Sequence, residues 1–465
     1  MGLAGRSFSR NHTIGVHPMT ENVEKRTMNR WFVVVGAVMI MFALGAIYAW
    51  SAFTVPLQGK TGTPSEFDFT KTQTNLIFSA GLASFGIVMI IAGRLQQKFK
   101  PRWIAMVGGV LLGLGYILAG LTGTAFIWKL LLIGVLGGAG IGFAYVVPIA
   151  IGVKWFPDKK GLISGLAVAG FGFGAFLWIL LANPPSIIGI NGLIRTEMVE
   201  GVSTYTADNI NTVFLIYGIA FLILVVLGSL VMVNPPEGYK PKNWNPPEAK
   251  PGAKRSGIDA GPLGMLRTWQ FYALWSMFMV GALAGLMVIG NIKNFAQNVD
   301  QGFEHYGFSP TQAEDYAVIG AAICLPILNG LGRIVWGMVS DRIGRKPAFI
   351  VMFASQFLLM GFLILTPASV IAFFLATAAI GFNFGGNFSL FPAITADYYG
   401  SKNTGPNYGI MFTSYAAGGI IGPLLAGWVQ DNGWSFTFAF LPAAVLCLLA
   451  ACVALLIKAP APRQE

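Results

Sequence analysis

Charge is scarce in this 465-residue sequence. Asp, Glu, Lys and Arg together make up 11% of it, against about a quarter in soluble domains. That scarcity excludes a soluble enzyme and a disordered chain. Histidine and cysteine number three each. His12, His17 and His305 fall outside every apolar stretch, so none of those stretches offers an imidazole to a metal, and neither a metal nor a cofactor is expected. Cys324, Cys447 and Cys452 lie within apolar stretches and read as buried free thiols, which excludes a disulfide scaffold. The first 30 residues are polar and basic, without the short apolar core and small-residue cleavage site of a signal peptide. They read as a loose tail or as an over-long start, since Met19 and Met28 are alternative initiators.

Apolar sequence, by contrast, is abundant: 55% of residues are hydrophobic and the mean hydropathy is +0.66. Apolar runs occur at about 31–57, 74–93, 103–122, 127–153, 161–184 and 211–233, then at about 269–292, 316–338, 347–366, 369–394, 406–428 and 435–457. Each is long enough to cross a bilayer as a helix, and only helices or closed barrels can cross. The expected fold is an all-α membrane protein of 12 transmembrane helices in two pseudo-symmetric six-helix bundles. Its parts are a tail at 1–30, a bundle at 31–234, a Pro-, Lys- and Asn-rich linker at 235–268, a second bundle at 269–457 and a tail at 458–465.

The distribution of charge sets the orientation. With the N-terminus inside, 24 of the 30 Lys and Arg fall in cytoplasmic segments, and Lys60, Lys71, Lys129, Arg195 and Lys293 fall outside. Both termini are therefore expected in the cytoplasm, in a cytoplasmic membrane. The net charge of +11 is accounted for by this topology, and the cluster Lys154, Lys159 and Lys160 reads the same way, so no nucleic-acid partner is expected. One base has no place in the scheme: Arg333, inside the eighth run.

The halves repeat. Gly93-Arg-Leu at the end of run 2 corresponds to Gly337-Met-Val at the end of run 8, an offset of 244 that also carries Pro148 to Pro392, Gly161 to Gly405 and Gly165 to Gly409. Four matches at one offset, at equivalent places in the topology, indicate a duplicated bundle. That is the layout expected of a transporter that rocks two halves around a central site.

Between runs 8 and 9, Gly337-Met-Val-Ser-Asp-Arg-Ile-Gly-Arg-Lys-Pro347 matches the signature loop of the major facilitator superfamily without a break. Asp341 can cap a helix end and pair with arginines, while Gly337 and Gly344 permit close packing and a tight turn. The resemblance implies a gating latch, with Gly337, Asp341, Arg342, Gly344 and Arg345 as its parts. The first-half copy, Gly93 to Arg102, has Gln97 for the acid and Lys100 for the second glycine, which implies a weaker latch. Three further segments are similar to the oxalate/formate antiporter and monocarboxylate transporter branch. They are Tyr48-Ala-Trp-Ser-Ala-Phe53, Lys154-Trp-Phe-Pro-Asp-Lys-Lys-Gly161, and Gly381-Phe-Asn-Phe-Gly-Gly-Asn-Phe-Ser-Leu-Phe-Pro392 with its continuation to Asn407-Tyr-Gly409.

Arg333 is the leading candidate for substrate binding. A charge within a span costs at least about 2.5–3.5 kcal/mol on insertion scales and usually faces a cavity with a partner. It lies eight residues before Asp341, about 12 Å along a helix, with Asn329 one turn earlier on the same face. Their repeat mates are Met89 and Phe85, so this polar pair belongs to one half only. An Arg fork matches a carboxylate bidentately, and in the resembling monocarboxylate carriers an arginine at this place binds the substrate carboxylate. The alternative is an arginine that snorkels to the interface.

The residue four before that arginine is an aspartate linked to proton transfer in animal proton-coupled relatives. Here it is Asn329, which puts proton coupling there in doubt. Oxalate-exchanging relatives carry a lysine in span 11, and run 11 here has no Lys or Arg. One positive charge balances one carboxylate, so the expected substrates are small monocarboxylate anions of the lactate, formate or pyruvate type, carried by exchange or with protons. An oxalate/formate-type dicarboxylate antiporter is the alternative. Tyr48, Tyr145, Asn383, Asn387 and Tyr415 are further candidates to line the site, though each could equally be interhelical packing.

Other functions lack their signals. Gly59-Lys60-Thr61 is no phosphate loop, because Thr54 stands where a glycine is required, so no nucleotide partner is expected. A membrane-embedded enzyme would need an intramembrane His or acid for acid–base work. A sensor on a transporter scaffold would need an appended signalling domain. The expected partners are the lipid bilayer and the anion, with the chain working as a monomer.

Overall fold

The computed structural model describes Gly2 and residues 28–60, 62–96, 98–157, 160–186, 189–236, 239–241, 258–400 and 403–460. Most of the 1–30 tail, most of the linker, Gln97, Lys159 and the last five residues lie outside the described set.

The apolar runs form long helices: α1 Trp31–Gln58, α2 Lys71–Leu95, α3 Pro101–Leu121, α4 Phe126–Trp155, α5 Lys160–Ala182 and α6 Ala207–Leu230, then α7 Trp269–Ala296, α8 Pro310–Ile343, α9 Arg345–Leu363, α10 Val370–Tyr399, α11 Pro406–Asp431 and α12 Thr437–Leu456. Eleven of these are long and apolar enough to cross a membrane; the fifth, α5, is a 23-residue helix whose described apolar part is Val168–Ala182. Local chemistry sets their starts and stops. Thr70 with Gln73, and Ser309 with Gln312, form reciprocal capping boxes at α2 and α8. Pro101 and Pro310 occupy first-turn positions, where a missing N–H costs nothing. Gly344, at φ +92°, separates α8 from α9 in a conformation that disfavours any side chain.

Three long helices contain 3-10 or π-helical stretches. Gly45–Trp50 in α1 is wound as a 3-10 helix, and Leu130–Gly137 in α4 and Ile319–Cys324 in α8 are π-helical. Such stretches concentrate at functional sites. The first of them contains Tyr48, and the last ends just before the turn that carries Asn329.

Each half packs mainly within itself: α3 on α6 and α2 on α4 in the first, α8 on α10, α9 on α12 and α7 on α11 in the second. The halves meet where α2 lies against α11 and α5 against α8, with Gly86 on Ala416 and Gly172 on Pro326. A small antiparallel hairpin, Glu197–Val199 with Val202–Thr204, covers the end between α5 and α6. The face carrying Arg30, the described ends of the linker and Lys458 is called the terminal face below, and the opposite one the distal face.

Two lysines expected on the outside, Lys129 within the fourth run and Lys293 just past the seventh, are buried in helices. Lys129 is wholly buried, donating to the carbonyls of Ala119 and Thr122 and to Asn211 Oδ1. Lys293 is buried in the last turn of α7. The hydrocarbon stem of a lysine lets it extend a helix into the interface, so the end of an apolar run is not the end of its helix.

Candidate functional site

Backbone contact between two helices creates the site. Gly381 and Gly385 of α10 lie against α8 at Leu325 and Asn329, and Gly332 of α8 lies against Phe382. A Cβ on Gly385 would overlap the Asn329 carbonyl and approach the Arg333 nitrogen to 3.1 Å. Glycines therefore let α8 settle on α10 at the one level where it carries its polar pair.

Arg333 is only 7% exposed, which argues against a side chain that has snorkelled to water. Its Nε donates to Asn329 Oδ1 at 3.2 Å, and its guanidinium carbon sits 4.1 Å from the centroid of the Phe388 ring. A desolvated cation over an aromatic face gains up to about 2 kcal/mol, less than a lost ion pair. Among the described residues no carboxylate pairs with it. Arg333 Nη1 and Asn329 Nδ2 have no hydrogen-bond partner. Two buried donors on one face of α8 are thus unpartnered, and such groups are costly unless an acceptor reaches them.

Phenols from the other helices surround this pair. The Tyr48 and Tyr415 hydroxyls share a hydrogen bond of 2.9 Å across the two halves. Arg333 acts electrostatically on the hydroxyls of Tyr48, Tyr145, Tyr408 and Tyr415. Between them lie rings: Tyr48 is edge-on to Phe171 and Phe384, Tyr145 to Phe85, and Tyr415 stacks on Phe412 with Phe388 beside it. Phe85, the repeat mate of Asn329, faces the same cluster from the first half. The second half supplies the cation, and both halves supply the aromatic rings around it.

Of the residues expected here, Arg333, Asn329, Tyr48, Tyr145 and Tyr415 are brought together. Asn383 and Asn387 are not. Asn383 donates to Ser355 on α9 at 2.9 Å, and Asn387 is turned to Gly281 on α7 and back to the Phe384 carbonyl. The phenylalanines next to them, Phe384 and Phe388, are the α10 residues at the cluster. Sequence reading passed these by, together with Tyr408. The signal was present: Gly381 and Gly385 mark the face of α10 toward α8, and 384 and 388 flank that face.

The signature loop forms a cluster within the second half. Arg345 bonds Asp341 Oδ1 at 2.6 Å, Asp397 Oδ2 at 3.0 Å and Ser340 Oγ, tying α8, α9 and the end of α10 together. Gly337 lies close to Ser389, Gly344 makes the turn, and Arg342 is exposed.

A second charged group closes the distal face. Glu314 accepts from Lys60 Nζ at 3.2 Å and from Asn183 Nδ2 at 2.8 Å, both in the first half. Asp431 accepts from the backbone of Lys71 and Thr72, Asp315 from Ser186, and Asn75 pairs with Asn291. These contacts between the halves lie at the middle or the distal end.

Comparison with known proteins agrees with this architecture. The Major Facilitator Superfamily profile matches residues 30–303 and 274–465. The sequence is 30% identical over 405 residues to an uncharacterized MFS-type transporter of Escherichia coli (strain K12), YhjX, covering 86% of this chain and 88% of that one. It is 28% identical over 417 residues to the oxalate:formate antiporter of Oxalobacter formigenes, covering 88% and 87%. The crystal structure of a mutant of the nucleoside transporter NupG superposes with a TM-score of 0.63 at 14% identity, covering 92% of this chain and 99% of that one.

Proposed function

The chain belongs to the Major Facilitator Superfamily, as a multi-pass membrane transporter and not an enzyme, and from that premise we propose that it carries small monocarboxylate anions by alternating access. The observation that carries this reading is the buried guanidinium of Arg333, with an unpartnered Nη1, Asn329 beside it and, among the described residues, no carboxylate paired with it. A monocarboxylate accepts two hydrogen bonds from such a fork, and its single charge neutralises the site. Tyr48, Tyr145 and Tyr415 supply hydroxyl donors for the remaining lone pairs, and the phenylalanines exclude water. The oxalate:formate antiporter handles one dianion and one monoanion by name. A dianion here would leave one charge uncompensated, because α11 carries no Lys or Arg.

Residues 31–234 and 269–457 are the two moving bodies in this reading, with 235–268 as their linker, and Asp341, Arg345 and Gly344 hold the terminal end of the second. The excess of Lys and Arg expected on the terminal face supports a reading with both termini in the cytoplasm, in a cytoplasmic membrane. The chain works as a monomer, since each copy contains a whole site.

Counterflow in proteoliposomes loaded with unlabelled lactate, formate or oxalate tests the substrate. A monocarboxylate is expected to exchange, and Arg333→Lys to lower the rate at least tenfold while the protein stays folded, because an ammonium cannot make the bidentate contact. Oxalate exchanging best would replace this reading with the dicarboxylate one. An indifferent Arg333→Lys would remove the carboxylate from the site altogether.

A further inference from the structure

Lys293 is 1% exposed at the distal end of α7, and its ammonium makes no hydrogen bond among the described residues. Its electrostatic neighbours are Glu314 and Lys60. Glu314 is already committed to Lys60 and Asn183, and the other acids of the distal closure are committed too: Asp315 to Ser186, and Asp431 to the backbone of Lys71 and Thr72. Two lysines therefore share one carboxylate, with Lys293 buried and the Lys60 and Glu314 side chains 30% and 28% exposed. A buried cation left without its own acid is destabilising and marks an ion pathway more often than a structural pair.

Its position on α7 gives that charge a use. Gly281 and Gly285 of the same helix touch Asn387 and Phe384, at the level of the central cluster. Lys293 lies eight residues beyond Gly285, about 12 Å further along the helix, where the two halves close on each other. An anion entering from the distal face passes this level before it reaches Arg333.

We propose that Lys293 is a second carboxylate-binding residue, a way-station between the distal face and Arg333, with Glu314 as its tethered competitor. The inference rests on reading Arg333 as a carboxylate site. When the distal face opens, Lys60 and Asn183 leave with the first half, and an incoming carboxylate pairs with the Lys293 ammonium. The Glu314 carboxylate then competes for the same cation and returns the anion to the path, so that it is drawn in without being trapped.

Sidedness tests it. Initial rates of labelled formate and pyruvate uptake are measured in proteoliposomes of defined orientation, from the distal and the terminal side separately. Lys293→Gln is expected to raise the distal-side KM roughly five- to tenfold, the loss of one charge-assisted contact, with the terminal-side KM within about twofold of wild type. Lys293→Arg should restore the distal KM, and Glu314→Gln should lower it while slowing turnover. Equal changes on both sides, or none, overturn the proposal; so does a Lys293→Arg protein that is folded yet no better than Lys293→Gln. Failure of the Arg333 reading looks different: wild type would carry neither anion from either side, and this proposal would fall with it.

Discussion

At the scale of the residue, the proposed site turns on Asn329. It stands one turn before Arg333, accepts from Nε through Oδ1, and leaves Nδ2 unpartnered. An aspartate there would place a carboxylate 3.2 Å from the guanidinium and occupy the fork from within. Asn329→Asp is therefore expected to weaken substrate competition for Arg333 at neutral pH by about tenfold or more. Pairing with the guanidinium keeps the new carboxyl ionised, so the loss should persist as pH falls from about 7.5 to about 5.5, a range in which formate also stays ionised. The wild type, with a side chain that cannot titrate at 329, should stay the faster of the two throughout. Formate uptake by both proteins across this range checks it, and a variant as fast as wild type at the upper end of the range would remove Asn329 from the site. Arg333 and Asn329 were legible in the sequence because a charge inside an apolar run has few structural uses. Phe388 was not, since its place above the guanidinium depends on how α10 is turned about its axis, which apolar periodicity cannot report in a helix apolar on every side.

At the scale of the element, the α8–α10 contact holds the polar pair in place. Gly385 lets the Asn329 carbonyl and the Arg333 backbone approach, and the π-helical stretch Ile319–Cys324 shifts the register of α8 just before it. Gly385→Ala adds one methyl group that has nowhere to go except between the two helices. Overpacking of that kind costs about 1–3 kcal/mol and moves Arg333 without altering any group that touches an anion. The expected result is a drop in affinity together with a lower melting temperature, read by counterflow and by thermal unfolding of the purified protein. An unchanged KM would mean that α8 is positioned by something other than this contact. The helices themselves were legible, since apolar runs this long have almost no other solution in a bilayer. Their ends were less so: Lys129 is buried in the first turn of α4 with its ammonium on acceptors of neighbouring helices, and Lys293 is buried in the last turn of α7, one residue past its apolar run. The 3-10 and π-helical segments left no mark, because they change hydrogen-bond register and not composition.

At the scale of the whole molecule, the halves are joined at the middle by Tyr48 and Tyr415 and at the distal end by Glu314, Asp431 and the Asn75–Asn291 pair. This is a carrier closed toward the distal face. To turn over it must break those contacts, and the state of Arg333 decides when that can happen. Empty, the site holds an uncompensated buried cation that resists being carried through the interior; loaded with a monoanion, it is neutral. Exchange of carboxylates should therefore outpace net flux unless a proton or a mouth carboxylate compensates. A crosslink separates the two halves of the cycle. In Asn75→Cys with Asn291→Cys, side chains that now exchange two hydrogen bonds across the halves would be replaced by thiols too far apart for a direct disulfide but within reach of a short bifunctional methanethiosulfonate. The crosslink should hold the distal face shut and stop exchange, whereas anion binding from the terminal face should persist and reductant should restore transport. Exchange that continues with the crosslink formed would mean that this end does not open during the cycle, and the alternating movement would have to be sought elsewhere.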